Sequence, residues 1–190
     1  MFLVNIKGDY KKYMILYVIR HGQVDVNVKK QLNGRNESVL TKIGIEQAKN
    51  VMEEIKNLKI DLIFCSPLKR TKQTCEIINV NQIPVIYDDR IIERDTNSMM
   101  YKIKENVDLD IFYDSSKKVI FNDCEGFGNI LERVQNFIEE IKQKYSEKNV
   151  LVVTHGDICQ AIYCNIHKIY GKDEFYKYYP KNCEVAKYEL

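Results

Sequence analysis

The segment YVIRHGQ, Tyr17–Gln23, carries an arginine, a histidine and a glycine directly behind a run of strand-forming apolar residues. The same order recurs in NVLVVTHGD, where His155 and Gly156 follow the apolar run Val150–Val153. A single histidine behind a strand is usually structural, but this 190-residue chain contains only three histidines. Two of them in the same position behind two strand patterns indicate a site formed where strands end.

Strand patterns and helix patterns alternate along the chain. The strand patterns span residues 15–19, 60–65, 83–87 and 149–154, and residues 184–190 are compatible with one more strand. The helix patterns begin behind Thr41, at Ser66 with Pro67, and at Phe127, and the last one closes near Gly171. This alternation predicts an α/β fold, a three-layer α/β/α sandwich with a mostly parallel, Rossmann-like central sheet.

Ligands of open α/β sheets bind beyond the carboxyl ends of the strands. The pair Arg20–His21, the segment Ser66–Arg70 and the residue His155 all follow strand patterns directly. We therefore expect these three segments, which are far apart in the sequence, to meet at one edge of the sheet.

Two histidines and two arginines at one edge favour a dianionic ligand, and the phosphoryl group is the commonest one. Arginine donates paired hydrogen bonds to phosphate oxygens, and Arg70 in the first turn of its helix adds the positive end of the helix dipole. A neutral imidazole whose second nitrogen is held in place can attack phosphorus. The other histidine can then donate to the phosphoryl oxygens in the transition state.

The leaving alkoxide of a phosphate ester needs a proton. Glu93 in the segment RIIERD is the candidate donor, because burial beside Ile91 and Ile92 would keep its carboxyl group protonated near neutral pH. The alternative is that Glu93 belongs to a solvated charge run, since several charged residues surround it.

Composition argues against several classes of protein. The net charge of +2 is too small for nucleic-acid binding, and no stretch approaches the roughly 18 apolar residues that cross a bilayer. The opening segment lacks the features of a signal peptide, and the six cysteines, without a CxxC pair, are interpreted as buried free thiols. We expect a cytoplasmic protein without nucleic-acid or membrane partners. It forms a single domain over residues 1–190, of which residues 1–13 are an N-terminal extension.

The motif segments resemble the histidine phosphatase superfamily, also called phosphoglycerate-mutase-like. Its RHG signature corresponds to Arg20, His21 and Gly22, and Asn27 matches its downstream asparagine. The segment LTKIGIEQAKNV is similar to its LTxxGxxQA helix, and SPLKRTKQT, with Arg70, to its SPLxRAxQT segment. IIER resembles the segment of its acid and VTHGD that of its second histidine, and all these motifs occur in the family's order.

The resemblance implies that His21 is the phosphorylated nucleophile and Glu93 the proton donor. The phosphate pocket that it implies consists of Arg20, Asn27, Arg70 and His155, with His155 also acting in catalysis. In such enzymes the segment corresponding to about residues 95–126 covers the pocket and selects the substrate.

The chain departs from the family pattern at two places. Val24 stands where the family usually has threonine or serine, and RDTNSMM behind Glu93 lacks the usual glycine and aromatic residue. Glu125 and Arg133 weakly resemble a further motif, and either a capping or ion-pair role or support of the pocket is compatible with them.

The leading hypothesis is a phosphomonoesterase that acts through a phosphohistidine on a small phosphorylated metabolite. It needs neither a metal ion nor another cofactor, because the arginines and histidines supply the positive charge. One alternative is a mutase, which returns the phosphoryl group to a second hydroxyl. The other is a non-catalytic protein that binds phosphate esters, and the oligomeric state stays open.

Overall fold

The computed structural model describes residues 13–170 and 178–190, so the expectation for residues 1–13 lies outside the described residues except at Tyr13. The described helices are α1 (Asp25–Val28), α2 (Lys42–Ile55), α3 (Lys69–Ile78), α4 (Leu109–Phe112), α5 (Phe127–Lys144) and α6 (Gly156–His167). The described strands are β1 (Ile15–Arg20), β2 (Leu62–Cys65), β3 (Val85–Tyr87), β4 (Val119–Ile120), β5 (Cys124–Glu125), β6 (Asn149–Thr154) and β7 (Val185–Glu189). Within these two ranges, no helix combines the length and the apolar character needed to cross a bilayer.

Five strands form the central sheet in the order β3-β2-β6-β1-β7. The strands from β3 to β1 are parallel, whereas β7 runs antiparallel to β1 at the edge. Helices cover both faces, so the predicted three-layer α/β sandwich with a mostly parallel sheet is confirmed. The additional strand expected near the C-terminus is β7.

The two faces of the sheet carry separate apolar clusters because alternate residues of a strand point in opposite directions. Val18 and Val152 contribute to the cluster formed with α5 and α6. Ile19 and Val153, their neighbours in sequence, contribute to the cluster formed with α2 and α3. The six cysteines are free and buried, as the sequence analysis expected.

The register of the central strands aligns their carboxyl ends. Arg20 of β1 is paired with Thr154 of β6, and Cys65 of β2 is paired with Val153 of β6. The residues that follow these three strands therefore leave the sheet at the same edge.

Two predicted helix boundaries were wrong. Helix α3 begins at Lys69 rather than at Ser66, because the Ser66 hydroxyl bonds to a distant side chain instead of capping the helix. Helix α6 ends at His167 rather than near Gly171. Lys168 adopts a left-handed conformation with φ of 58°, and the amide of Ile169 closes back onto the Cys164 carbonyl, which terminates the helix.

Residues 95–126, which the family resemblance implies as the part that covers the pocket, are called the covering segment below. The segment contains α4, the β4–β5 hairpin and short 3₁₀ turns. Met99, Phe112 and Ile120 form a small apolar cluster of their own with Leu32 from the loop behind α1. The Leu32 amide also donates to the carbonyl of Lys102 at 2.9 Å, so this segment is attached to the rest of the chain by backbone pairing.

Candidate active site

Three strand ends bring polar residues together at the carboxyl edge of the sheet. The amide of His21 donates to the Thr154 carbonyl at 2.9 Å, and the amide of Ser66 donates to the Val153 carbonyl at 3.0 Å. The rings of His21 and His155 lie edge to face with their centroids 5.3 Å apart. The two histidines that the sequence singled out are therefore neighbours.

His21 holds its proton on the nitrogen that faces the backbone. Its Nδ1 donates to the Gly22 carbonyl at 2.7 Å, and because a carbonyl can only accept, the lone pair lies on Nε2. Nε2 in turn accepts from Nε of Arg70 at 3.2 Å. Burial, together with the charges of Arg70 and Arg20, holds the pKa of His21 well below its usual range. The ring is thus a neutral imidazole with a defined tautomer.

Glycines allow the turn behind β1 to lie directly against helix α2. A Cβ atom on Gly22 would lie 2.5 Å from the carbonyl oxygen of Gly44, and one on Gly44 would lie 2.2 Å from the carbonyl oxygen of Gln23. Both contacts are with backbone atoms, which cannot turn aside as a flexible side chain can. The glycine of RHG and the glycine of LTKIG are therefore required by the same close approach.

His155 is fully buried and held by a side chain rather than by the backbone. Its Nε2 and the Ser66 hydroxyl are hydrogen-bonded at 2.6 Å. Its Nδ1 is buried and has no hydrogen-bond partner among the residues that the structure describes. Burial and the charge of Arg70 lower the pKa of His155 well below its usual range. Sequence reasoning missed Ser66 because it assigned the hydroxyl to a helix cap.

Arg70 occupies the second position of α3, in its first turn as predicted, and is fully buried. Its two terminal nitrogens donate to the carbonyls of Gly34 at 2.8 Å and Asn36 at 2.7 Å, while Nε faces His21. Burial lowers the pKa of Arg70 to about 10, so the guanidinium stays charged at neutral pH. Backbone carbonyls thus hold a cation in contact with the ring of His21.

Arg20 lines the cavity together with His21 and is only partly engaged. One terminal nitrogen donates to the Pro180 carbonyl at 2.8 Å, and its guanidinium lies 5.0 Å from the ring centroid of Tyr179. Its Nε is buried and lacks a hydrogen-bond partner among the described residues. This donor is available to an anion beside His21.

Glu93 lines the same cavity as Arg20 and His21. Its side chain accepts from the Arg94 amide at 3.0 Å, and Arg35 donates to its backbone carbonyl at 3.1 Å. Burial is the largest cause that raises the pKa of Glu93 to about 7, followed by the negative charge of Asp157. Its carboxyl group can therefore carry a proton near neutral pH.

Asp157 and Arg94 are cavity residues that the sequence analysis did not identify. Nε of Arg94 lies 2.9 Å from Oδ2 of Asp157, and the guanidinium stacks over Phe112 with its centre 3.7 Å from the ring centroid. Arg94 also donates to the Phe112 carbonyl at 2.7 Å. The position of Asp157 directly behind the second His-Gly pair was the available signal, whereas its pairing with Arg94 depends on the fold.

Asn27 lines the cavity, and its Oδ1 accepts from the Val24 amide at 3.1 Å and from Asn182 at 3.4 Å. The side chain of Val24 is fully buried in a small apolar cluster with Val26 and Leu40. The departure at Val24 thus fills an apolar site behind the turn, and Val24 does not line the cavity.

Glu125 and Arg133 form an ion pair outside the cavity. Nε of Arg133 lies 2.9 Å from Oε1 of Glu125, and Arg35 and the amide of Asp95 approach the same carboxylate. Of the two roles left open by the sequence, the structure shows the ion pair, which ties α5 to the covering segment.

The cavity continues into a cleft of about 440 Å³ bordered by Arg20, Asn27, Lys30, Lys104 and Tyr179 among others. Lys104 and Tyr179 also line the inner cavity beside His21. Neither residue was predicted to line the site, because both come from irregular segments. Within the described ranges, no group of three or more His, Cys, Asp or Glu residues is arranged to hold a metal ion.

Fold and site together define a class of α/β proteins that collect histidines and arginines at the carboxyl edge of a parallel sheet, where an anion can bind. The chain belongs to the histidine phosphatase superfamily (branch 1), whose sequence model matches residues 16–190. The predicted family is thereby confirmed.

Several named proteins are similar to the chain over most of its length. Phosphoserine phosphatase 1 of Hydrogenobacter thermophilus is 29% identical over 182 residues, which cover 92% of this chain and 84% of that protein. A metal-independent phosphoserine phosphatase of Arabidopsis thaliana is 27% identical over 163 residues, which cover 80% of this chain and 68% of that protein. The structure of phosphoserine phosphatase from Entamoeba histolytica, in complex with 3-phosphoglyceric acid, has the same fold, with a TM-score of 0.80 and 21% sequence identity. The match covers 92% of this chain and 89% of that chain.

Proposed function

We propose that the chain is a metal-independent phosphomonoesterase that hydrolyses a small phosphorylated metabolite through a phosphohistidine on His21. The observation that carries the proposal is the fixed tautomer of His21, whose Nδ1 is bonded to the Gly22 carbonyl and whose Nε2 lone pair faces Arg70. The two relatives that were found by sequence similarity are both named phosphoserine phosphatases, and they support hydrolysis of a phosphate ester.

In the first step Nε2 of His21 attacks phosphorus and the bond to the ester oxygen breaks. Arg70 transfers its Nε hydrogen bond from the imidazole to a phosphoryl oxygen, since Nε2 can attack only when its lone pair is released. Glu93, whose pKa is raised to about 7, gives its proton to the departing alkoxide. The products are the free alcohol, a phosphohistidine and the Glu93 carboxylate.

In the second step water attacks the phosphohistidine. The Glu93 carboxylate accepts a proton from the water, the bond between phosphorus and Nε2 breaks, and phosphate leaves with His21 neutral again. The cleft borders on the exposed side chains of Lys30 and Glu105, which gives water a path to the site. Transfer to a second hydroxyl instead of water would be the mutase alternative.

The phosphoryl oxygens are held by the surrounding cations and polar groups in this proposal. Arg20 contributes the donor on Nε that is otherwise unsatisfied, and Nδ1 of His155, also without a partner among the described residues, is the nitrogen left for a ligand. Asn27 lines the cavity beside them. A fixed set of donors of this kind stabilises charge that develops in a loose phosphoryl-transfer state.

The proposal also covers the domain organisation of the protein and its location in the cell. Residues 1–190 act as one domain, whose covering segment closes one side of the pocket and contributes to substrate choice. The partner is a small phosphate ester rather than nucleic acid or a membrane, and the buried free thiols favour the cytoplasm.

Release of p-nitrophenol from p-nitrophenyl phosphate tests the proposal. We expect turnover that persists in EDTA and falls by about a thousandfold or more in His21→Ala, because the nucleophile is lost. Loss of turnover in EDTA, or its retention in His21→Ala, would contradict the mechanism. Tight binding of the ester without release would instead identify a binding protein, and interconversion of 2- and 3-phosphoglycerate a mutase.

A further inference from the structure

Lys104 is a cation that the covering segment brings to the site. It opens a short 3₁₀ turn, Lys104–Asn106, and its amide donates to the Lys30 carbonyl at 3.0 Å. The preceding residue, Ile103, forms a β-bridge with Gln31. The backbone at Lys104 is therefore anchored to the loop behind α1, which lies next to the phosphoryl site.

The ammonium group of Lys104 lacks an ionic partner among residues 13–170 and 178–190. It donates to the Tyr179 hydroxyl at 3.3 Å and lies 5.2 Å from the centre of the same ring. The neighbouring cation of the cleft, Lys30, is by contrast neutralised by Glu105 at 2.9 Å. Lys104 is thus the cleft lysine that forms no direct salt bridge within the described part of the protein.

The ring of Tyr179 sets an upper limit to the distance between Lys104 and Arg20 of the phosphoryl site. The guanidinium of Arg20 lies 5.0 Å and the ammonium of Lys104 lies 5.2 Å from the centre of that ring. The two cations are therefore separated by no more than about twice this distance. A chain of three carbons is long enough to place one anionic group at each of them.

The neighbouring cations indicate what the second group is. Arg70 contacts His21, and Arg20 has a free donor beside it, so these two guanidinium groups can hold the phosphoryl group. Arg94 and Asp157 form an ion pair with one another. The ammonium group of Lys104 is thus available to a further anionic group of the substrate, and a carboxylate is a group that an ammonium ion can bind by a charge-assisted hydrogen bond.

We propose that Lys104 forms an anion subsite for a carboxylate of the substrate, so that the preferred substrates are small phosphate esters carrying a carboxylate. This inference rests on the proposed function, since it concerns the alcohol part of the ester that His21 cleaves. Tyr179 orients the ammonium group, and the covering segment supplies the selectivity that the phosphoryl pocket lacks.

Two esters of equal length test the subsite. 3-Phosphoglycerate and glycerol 3-phosphate differ in that the first carries a carboxylate where the second carries a hydroxymethyl group. We expect wild-type protein to prefer 3-phosphoglycerate in kcat/KM by about tenfold or more, the size of a charge-assisted hydrogen bond. Lys104→Met removes this preference, Lys104→Arg retains most of it, and the exposed control Lys102→Met leaves it unchanged.

Equal activity of the wild type on both esters would overturn the inference. So would an equal fall on both esters in Lys104→Met, since Lys104 would then act on the phosphoryl group. If the wild type releases phosphate from neither these esters nor p-nitrophenyl phosphate, the proposed function fails. Calorimetry then tests the subsite alone through the affinities of the two esters. The wild type should bind 3-phosphoglycerate more tightly than glycerol 3-phosphate, and Lys104→Met should bind the two esters equally.

Discussion

His21 and His155 are both buried and neutral, but they hold their protons in different ways. A backbone carbonyl, which can only accept, fixes the proton of His21 on Nδ1. The Ser66 hydroxyl beside His155 can donate or accept, so the tautomer of His155 can change during a reaction. In the proposed mechanism, a fixed lone pair suits the nucleophile, and an adjustable proton suits the group that stabilises the phosphoryl oxygens.

Asp157 offers a test of the proton donor at the scale of a single residue. Its negative charge raises the pKa of Glu93, so Asp157→Asn should lower that pKa from about 7 toward the ordinary carboxyl range. Since Glu93 must be protonated to assist the leaving group, the alkaline decline of kcat/KM should move to lower pH. Other charges near Glu93, mainly Arg70 and Arg20, lower its pKa and stay unchanged in this variant.

The pH profile of kcat/KM is measured with an alkyl phosphate such as glycerol 3-phosphate, whose leaving group needs a proton from Glu93. p-Nitrophenyl phosphate is less suitable, because p-nitrophenolate leaves with little protonation. The matched control is Asp89→Asn, an exposed aspartate outside the cavity. A uniform loss of activity with an unmoved alkaline decline would mean that Asp157 acts only through its ion pair with Arg94.

Residues that belong to spaced motifs could be singled out from the sequence, whereas residues that act through tertiary pairs could not. His21, Arg70 and His155 follow strand patterns, and the parallel register brings such positions to one edge. Lys104 reaches the cavity because the covering segment folds back over it, and Arg94, just before that segment, lines the cavity beside its ion-pair partner Asp157. No local pattern encodes that return.

At the scale of elements, the approach of α2 to the turn behind β1 is the contact that glycine makes possible. Gly44→Ala would place a Cβ atom 2.2 Å from the Gln23 carbonyl oxygen, so the helix or the turn must shift. We expect a loss of about 1–3 kcal/mol in the free energy of unfolding, typical of overpacking, despite the better helix propensity of alanine.

Urea denaturation of Gly44→Ala measures this loss, and Asn50→Ala on the exposed side of the same helix serves as the control. The control should stay within about 0.5 kcal/mol of the wild type. If Gly44→Ala were more stable than the wild type, as expected for a solvated helical glycine, the close approach would not exist in solution.

Elements with a buried periodic pattern were predicted well, and their boundaries less well. Strands β1 and β6 and helix α5 follow the apolar patterns closely because burial decides them. The start of α3 was misassigned because a serine followed by proline is a common helix start. Here the Ser66 hydroxyl is hydrogen-bonded to His155 instead of capping the helix.

At the scale of the molecule, the central sheet positions the two histidines, and the covering segment lines another part of the cavity. The fold class followed from the alternation of strands and helices. The covering segment did not, because its core is a few residues contributed by irregular turns and completed by Leu32 from elsewhere. This division places the two histidines at rigid strand ends and Lys104 on a segment with its own small core.

The central claim is that the phosphoryl group passes through His21, and rapid quenching under alkaline conditions tests it directly. Protein mixed with a fast-leaving aryl phosphate is quenched within one turnover, digested and mapped by mass spectrometry. We expect one acid-labile phosphoryl group on the peptide containing His21, and none in His21→Ala. A phosphoryl group on His155, on a serine or on a cysteine, or turnover without any labelled protein, would contradict the account.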